Sequence, residues 1–313
     1  MIIDVKDTTT SQVAKEMNRL RQAGGVVTLG RVLTLIISTS DDYVEPSIRA
    51  ANLASREHPC RIIVIAAGDP GAETALDAQI RVGGDAGASD VVVLHGSGSN
   101  AVESESLIGA LLLPDAPIVV WWPHQPPEVP ADSPLGRIAH RRITDTATAV
   151  SAQEALMHLR KTYRAGDTDL AWTRLTGWRI QLAAILDGLD PAEIRSVTVD
   201  GAEDSPSTML LAAWLTRRLN VPVTMAHSKA GHGMRSVRLR RTDGDIVLSR
   251  PVGDVASLYQ QGRPVQRISL PKRSDQECLA EELRRLDPDE VFGDVVVQGL
   301  PLTDLKAVLP SER

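Results

Sequence analysis

Four runs of β-branched and aliphatic residues constrain this chain more than any other feature. They are Arg31-Val-Leu-Thr-Leu-Ile-Ile-Ser38, Cys60-Arg-Ile-Ile-Val-Ile65, Asp90-Val-Val-Val-Leu94 and Pro117-Ile-Val-Val-Trp-Trp122. Each has strand length, and each is continuously apolar rather than alternating. A strand that is apolar on both faces must be covered on both faces. That is the condition of a mostly parallel or mixed sheet layered with helices. Helical patterns lie between the runs. Thr9-x-x-Gln12 resembles a capping box ahead of Val13, Met17 and Leu20, and Gly24-Gly25 stops the turn. Pro46 opens a helix through Ile48, Ala51 and Ala54, and Leu107 to Leu113 reads as a short helix. The first half is therefore expected to be an α/β layered domain.

Prolines at 123, 126, 127, 130 and 134 follow the fourth run without any Gly/Ser run beside them, so the segment is irregular but not a flexible linker. Ala152 to Tyr163 reads as a helix that Ala165-Gly166-Asp167 breaks. The expected division is an N-terminal α/β domain over 1–166 and a C-terminal α/β domain over 167–313. With Asp167 as its cap, the next helix carries Leu175, Trp178, Leu182 and Ile185 as one apolar stripe. Arg195–Val199 is a strand, Ser205-Pro206 opens a helix that runs to Asn220, and Pro222–Met225 is a strand candidate. From Met234 to Leu270 the texture shifts to short alternating strands: Val237–Arg240, Ile246–Ser249 and Val265–Leu270. Asp243-Gly244 supplies a turn, and the pattern is that of a short antiparallel meander. Ser274-x-x-Glu277 and Asp287-Pro288-x-Glu290 then mark two C-terminal helices.

Charge and composition exclude several classes. Over 313 residues, 34 Lys+Arg stand against 40 Asp+Glu, a formal charge of −6. Nucleic-acid binders are ordinarily basic, so no nucleic-acid partner is expected. The longest apolar stretch, Ala110 to Trp122, is cut by Pro114, Asp115 and Pro117, well short of the ~20 residues a spanning helix needs. Together with an N-terminus that lacks an apolar signal core, this points to a cytoplasmic chain with no membrane partner. Cys60 and Cys278 read as two buried free thiols.

Candidate chemistry is sparse. Gly96-Ser-Gly98-Ser-Asn-Ala101 fits a glycine-rich turn that could admit a pyrophosphate or sugar phosphate. It is not on the first strand of its domain, and Trp121-Trp122 stand where an acidic residue should receive a ribose hydroxyl, so a plain glycine turn is the competing reading. Seven scattered histidines, with His227 and His232 the only close pair, give no metal set. No catalytic, cofactor or metal residue is assigned, and no cofactor is expected. Trp121 and Trp122 are adjacent on one strand and must point to opposite faces. Arg137, His140, Arg141 and Arg142 form a basic cluster, readable as a solvated helix end or as a site for an acidic partner or phosphate.

Several stretches together resemble a known family. They are Gly30–Leu35, Ser55-Arg-Glu-His-Pro59, Leu111–Pro117 running into Val120-Trp-Trp-Pro123, Asp132-Ser-Pro-Leu-Gly136, Arg141-Arg-Ile-Thr-Asp145 and Gly166–Leu175. Trp214–Leu219, Leu248-Ser-Arg-Pro251 and Ala280–Asp287 continue the match. In these the chain resembles the glucose-6-phosphate dehydrogenase assembly proteins called OpcA, in their actinobacterial form. The resemblance implies a non-catalytic partner of glucose-6-phosphate dehydrogenase in the oxidative pentose phosphate pathway. It supplies no catalytic residue, and with only two cysteines no thioredoxin-type regulation is carried over. Self-association is left open. The expected partner surface runs from Trp121, Trp122 and Pro123 through Arg137, His140, Arg141 and Arg142, with Asp167, Asp169, Trp172 and Arg174 packed nearby. Exposable Trp, rigid Pro and Arg suited to carboxylates are the reasons.

Overall fold

All four apolar runs become neighbouring strands in a computed structural model, which describes residues 1–23, 32–82, 90–190, 193–228, 233–305 and 308–310. The strands of the first sheet are β1 Ile2–Val5, β2 Leu33–Ser40, β3 Cys60–Ala67, β4 Ala75–Arg81, β5 Asp90–Ser97, β6 Ile118–Trp121, β7 Arg141–Thr144 and β8 Asp167–Asp169. Their spatial order is β1-β4-β5-β3-β2-β6-β7-β8. From β5 to β7 every pairing is parallel, whereas β4 and β1 add antiparallel edges. The mixed, mostly parallel α/β sheet matches the expected fold class. Leu35–Ile37, Ile62–Val64 and Val91–Leu94 are fully buried, as continuous apolar strands require.

The second sheet holds β9 Ile194–Ala202, β10 Val223–Ser228, β11 Met234–Arg241, β12 Ile246–Ser249, β13 Val255–Gln260, β14 Gln266–Ser269 and β15 Val308–Pro310, in the order β14-β13-β12-β11-β9-β10-β15. β9 and β10 are parallel, joined by the helix Pro206–Leu219, and β11 to β14 form the antiparallel meander. The meander has one strand more than expected. In Val255–Gln260 only Ala256 and Leu258 are buried, too few apolar side chains for a sequence signal.

Two compact units result. The first comprises Met1–Asp145, Gly166–Thr168 and Asp275–Pro288; the second comprises Thr146–Ala165, Asp169–Ser274 and Asp289–Arg313. The contiguous division at 166 differs from these in the return of 275–288 to the first unit and in the placement of 146–165 and 167–168. Leu279 and Leu283, on the returning helix Asp275–Arg284, are buried. Cys60 and Cys278 are both free and buried.

Three local expectations are corrected. Leu107–Leu113 is only a four-residue helix, Glu105–Ile108, and a tight turn. Asp167 does not cap a helix; it lies in β8 and pairs with Arg142, and Asp169 is the cap, accepting from the Ala171 N–H at 2.9 Å. Arg141 and Arg142 lie in a buried strand, not at a solvated helix end. Gly24-Gly25, Gly30, Arg31 and His232 lie outside the described residues.

Candidate functional site

In the first sheet, chain order reverses direction beside β2: β3 and β5 lie to one side of it and β6 and β7 to the other. Such a switch point, at the carboxyl ends of the strands, is where open α/β sheets hold ligands. A dinucleotide site needs glycines there, so that the pyrophosphate can reach a helix N-terminus. The turn after β2 is instead Ser40-Asp41-Asp42-Tyr43, leading into the helix Val44–Ala54. Two Asp stand in the turn where a dinucleotide-binding fold carries glycines, and carboxylates repel a phosphate of like charge. His95 near the end of β5 bonds Asp41 at 3.0 Å. His124, from the loop after β6, stacks on Tyr43 with ring centres 3.7 Å apart. The loops after β2 and β6 thus meet through their own side chains.

The glycine loop Gly96–Ala101 is occupied by itself. A Cβ at Gly96 would lie 2.0 Å from the Asn100 carbonyl oxygen, and one at Gly98, whose φ is +57°, would lie 2.6 Å from Thr74 Oγ1. Both glycines are therefore needed for internal packing. The Gly98 N–H donates to the Asp69 carbonyl at 3.0 Å and the Ser99 N–H to Thr74 Oγ1 at 3.1 Å. Gly98–Ala101 itself forms a single 3₁₀ turn, not a helix. Two of the amide donors a phosphate would need are spent and no helix N-terminus stands behind the loop, so the structure favours the plain glycine turn.

The residues expected to form a partner surface are mostly inside. Trp121, Trp122, Pro123, Arg141, Arg142, Asp167, Asp169 and Trp172 are buried, Arg174 is half-buried, and only Arg137 and His140 are exposed. Trp122 joins the apolar cluster around Ile36, Ile63 and Val120, and its Nε1 donates to Glu103 at 2.7 Å. Arg141 pairs with Glu282 and donates to the Asp287 carbonyl at 2.9 Å. Arg142 pairs with Asp167, and its Nη1 donates to the Ala139 carbonyl at 3.1 Å. These two guanidiniums are internal ties of the first unit and cannot meet a partner's carboxylates. In the second unit, Asp169 accepts from the Thr146 N–H and Oγ1, both at 2.9 Å. Trp172 donates to Asp289 at 2.9 Å and lies under Arg179. On the surface, the Arg137 Nη2 stands 3.6 Å from Glu105, and His140 Nδ1 accepts from the Ile118 N–H at 3.2 Å. Sequence reasoning missed Tyr43, 42% exposed, because a lone Tyr after two Asp carries no motif.

Comparison with known proteins identifies two matching domain models. The N-terminal domain of the glucose-6-phosphate dehydrogenase subunit (OpcA) matches residues 51–161, and the C-terminal domain matches residues 165–296. An OxPP cycle protein OpcA from Synechococcus elongatus is 25% identical over 227 residues, 65% of this chain and 50% of its own. The chain spans about half the length of that curated relative. Among solved structures, an NAD binding oxidoreductase from Klebsiella pneumoniae superposes with a TM-score of 0.51 at 11% identity, covering 88% of this chain and 96% of its own. That likeness is one of fold alone. An oxidoreductase from Sinorhizobium meliloti gives 0.48 at 10% identity, covering 88% and 97%.

Proposed function

The chain belongs to the OpcA family of glucose-6-phosphate dehydrogenase assembly proteins, and from that premise we propose that it is a non-catalytic, cytoplasmic partner of glucose-6-phosphate dehydrogenase. It supports assembly or full activity of that enzyme in the oxidative pentose phosphate pathway. The observation that carries the non-catalytic reading is the switch point. The sheet order is that of a dinucleotide-binding fold, yet Asp41 and Asp42 stand where glycines would admit a phosphate, and Tyr43 stacks on His124 across it. Carboxylates and an aromatic contact at the turn where that fold carries glycines support a role exercised through the protein surface.

The partner surface we assign is the exposed part of the first unit beyond the carboxyl ends of β2 and β6: Tyr43 with the loop residues Gln125, Pro126 and Glu128, and Arg137 on the segment that follows. A half-exposed aromatic beside rigid prolines is the type of anchor that interfaces favour.

The test is the rate of the cognate dehydrogenase with and without the purified chain. A higher rate with the chain, no turnover of glucose 6-phosphate by the chain alone, and a binding loss of about tenfold in Tyr43→Ala are expected, since a truncated anchor costs more than ~1 kcal/mol. Turnover by the chain alone refutes the non-catalytic reading. Unchanged affinity in both Tyr43→Ala and Arg137→Glu moves the interface elsewhere.

A further inference from the structure

In the second unit, the opening turn of the helix Pro206–Leu219 borders a cavity of about 260 Å³. Arg174, Arg250, Lys272 and Arg273 line it, against one carboxylate, Asp204. Three of its walls are apolar, from Leu175, Trp178 and Met234. The cavity therefore joins a concentration of positive charge to a small apolar floor.

Two buried groups in it are incompletely matched by the protein. Arg250 is 6% exposed, and its guanidinium donates to the Leu270 carbonyl at 2.6 Å and to the Met234 carbonyl at 3.5 Å. Neither partner carries a charge. Burial pushes its pKa down, and the field of Asp254 opposes this only in part. A guanidinium taken out of water is costly unless an anion compensates it. Trp178, over whose ring the Arg250 guanidinium lies at 5.3 Å, is 2% exposed, and its indole Nε1 has no hydrogen-bond partner. A buried N–H without an acceptor is rare and calls for one. The helix adds its positive end, with Ser205 capping the Thr208 N–H at 3.4 Å and Ser207 on the cavity wall.

We propose that this cavity binds a small phosphomonoester, its phosphate held among Arg250, Lys272 and the first turn of Pro206–Leu219, its skeleton against Leu175 and the Trp178 ring with an oxygen accepting from Trp178 Nε1. Two cations, buried Arg250 and exposed Lys272, beside a helix N-terminus favour a phosphate dianion over a single carboxylate. The Gly96–Ala101 loop does not line this cavity and plays no part in it. Binding is read on the isolated full chain, so its failure leaves the partner reading untouched.

The experiment is calorimetric titration of the chain with glucose 6-phosphate, inorganic phosphate and glucose as probes. Saturable binding of glucose 6-phosphate, none of glucose, and a loss of about tenfold or more in Lys272→Glu are expected, because Lys272 is exposed and its charge-assisted bond is removed without touching the core. Arg250→Met, checked by melting, should abolish binding. Inorganic phosphate binding as tightly as glucose 6-phosphate supports the site with the phosphate alone read. No saturation by any probe below about 10 mM overturns the proposal. Equal affinity in the parent and in Lys272→Glu overturns it as well, whether or not Arg250→Met folds.

Discussion

Asp200, on β9, has one carboxylate oxygen buried without a partner. Burial pushes its pKa up, while Arg235 and His227 pull it down more weakly. A raised folded-state value means that folding favours the proton. The resulting penalty is absent below the ordinary Asp value of about 3.9 and is fully developed once the pH exceeds the raised value. Asp200→Asn is accordingly expected to raise the melting temperature at pH 7, with the gain shrinking as pH falls towards about 4. A lowered melting temperature at pH 7, or a gain independent of pH, contradicts this. At this scale the sequence is least legible. Arg141 and Arg142 look like surface charges because their partners, Glu282 and Asp167, lie 141 and 25 residues away. Asp167 and Asp169 are alike in sequence, but the first lies in β8 beside Arg142 and the second directly precedes the helix it caps.

Elements were legible where one physical demand dominated. β2, β3, β5 and β6 follow from continuous apolar runs, and Pro206–Leu219 from Ser205 capping ahead of Pro206. β7 was not legible, because two Arg begin it and their burial depends on pairing. The return of Asp275–Arg284 to the first unit has no local signal either: its amphipathic pattern says that one face is buried, not against what. Arg141 and Glu282 tie that helix to β7. Removing one member of a buried pair strands the other, so Arg141→Ala should cost ~3–5 kcal/mol in chemical denaturation. Arg141→Met combined with Glu282→Leu should recover most of that loss, since an apolar pair of similar volume needs no counter-charge. A cost under ~1 kcal/mol for Arg141→Ala would show that this pair is not what fixes the helix.

At the scale of the whole molecule, two facts meet. The strand order is that of a dinucleotide-binding sheet, and the turn that would bind the phosphates carries Asp41 and Asp42. The fold class was legible from strand patterning and the family from scattered short stretches. The site was legible only in part, because burial moved most of the expected surface inside and left Arg137 and His140 outside, while Tyr43 carried no motif. The most direct test mixes the full chain with its cognate glucose-6-phosphate dehydrogenase and measures mass by light scattering across a size-exclusion peak. One species heavier than either component, carrying both chains in fixed ratio, is the predicted result; two peaks at the masses of the separate proteins, at concentrations well above micromolar, would contradict it.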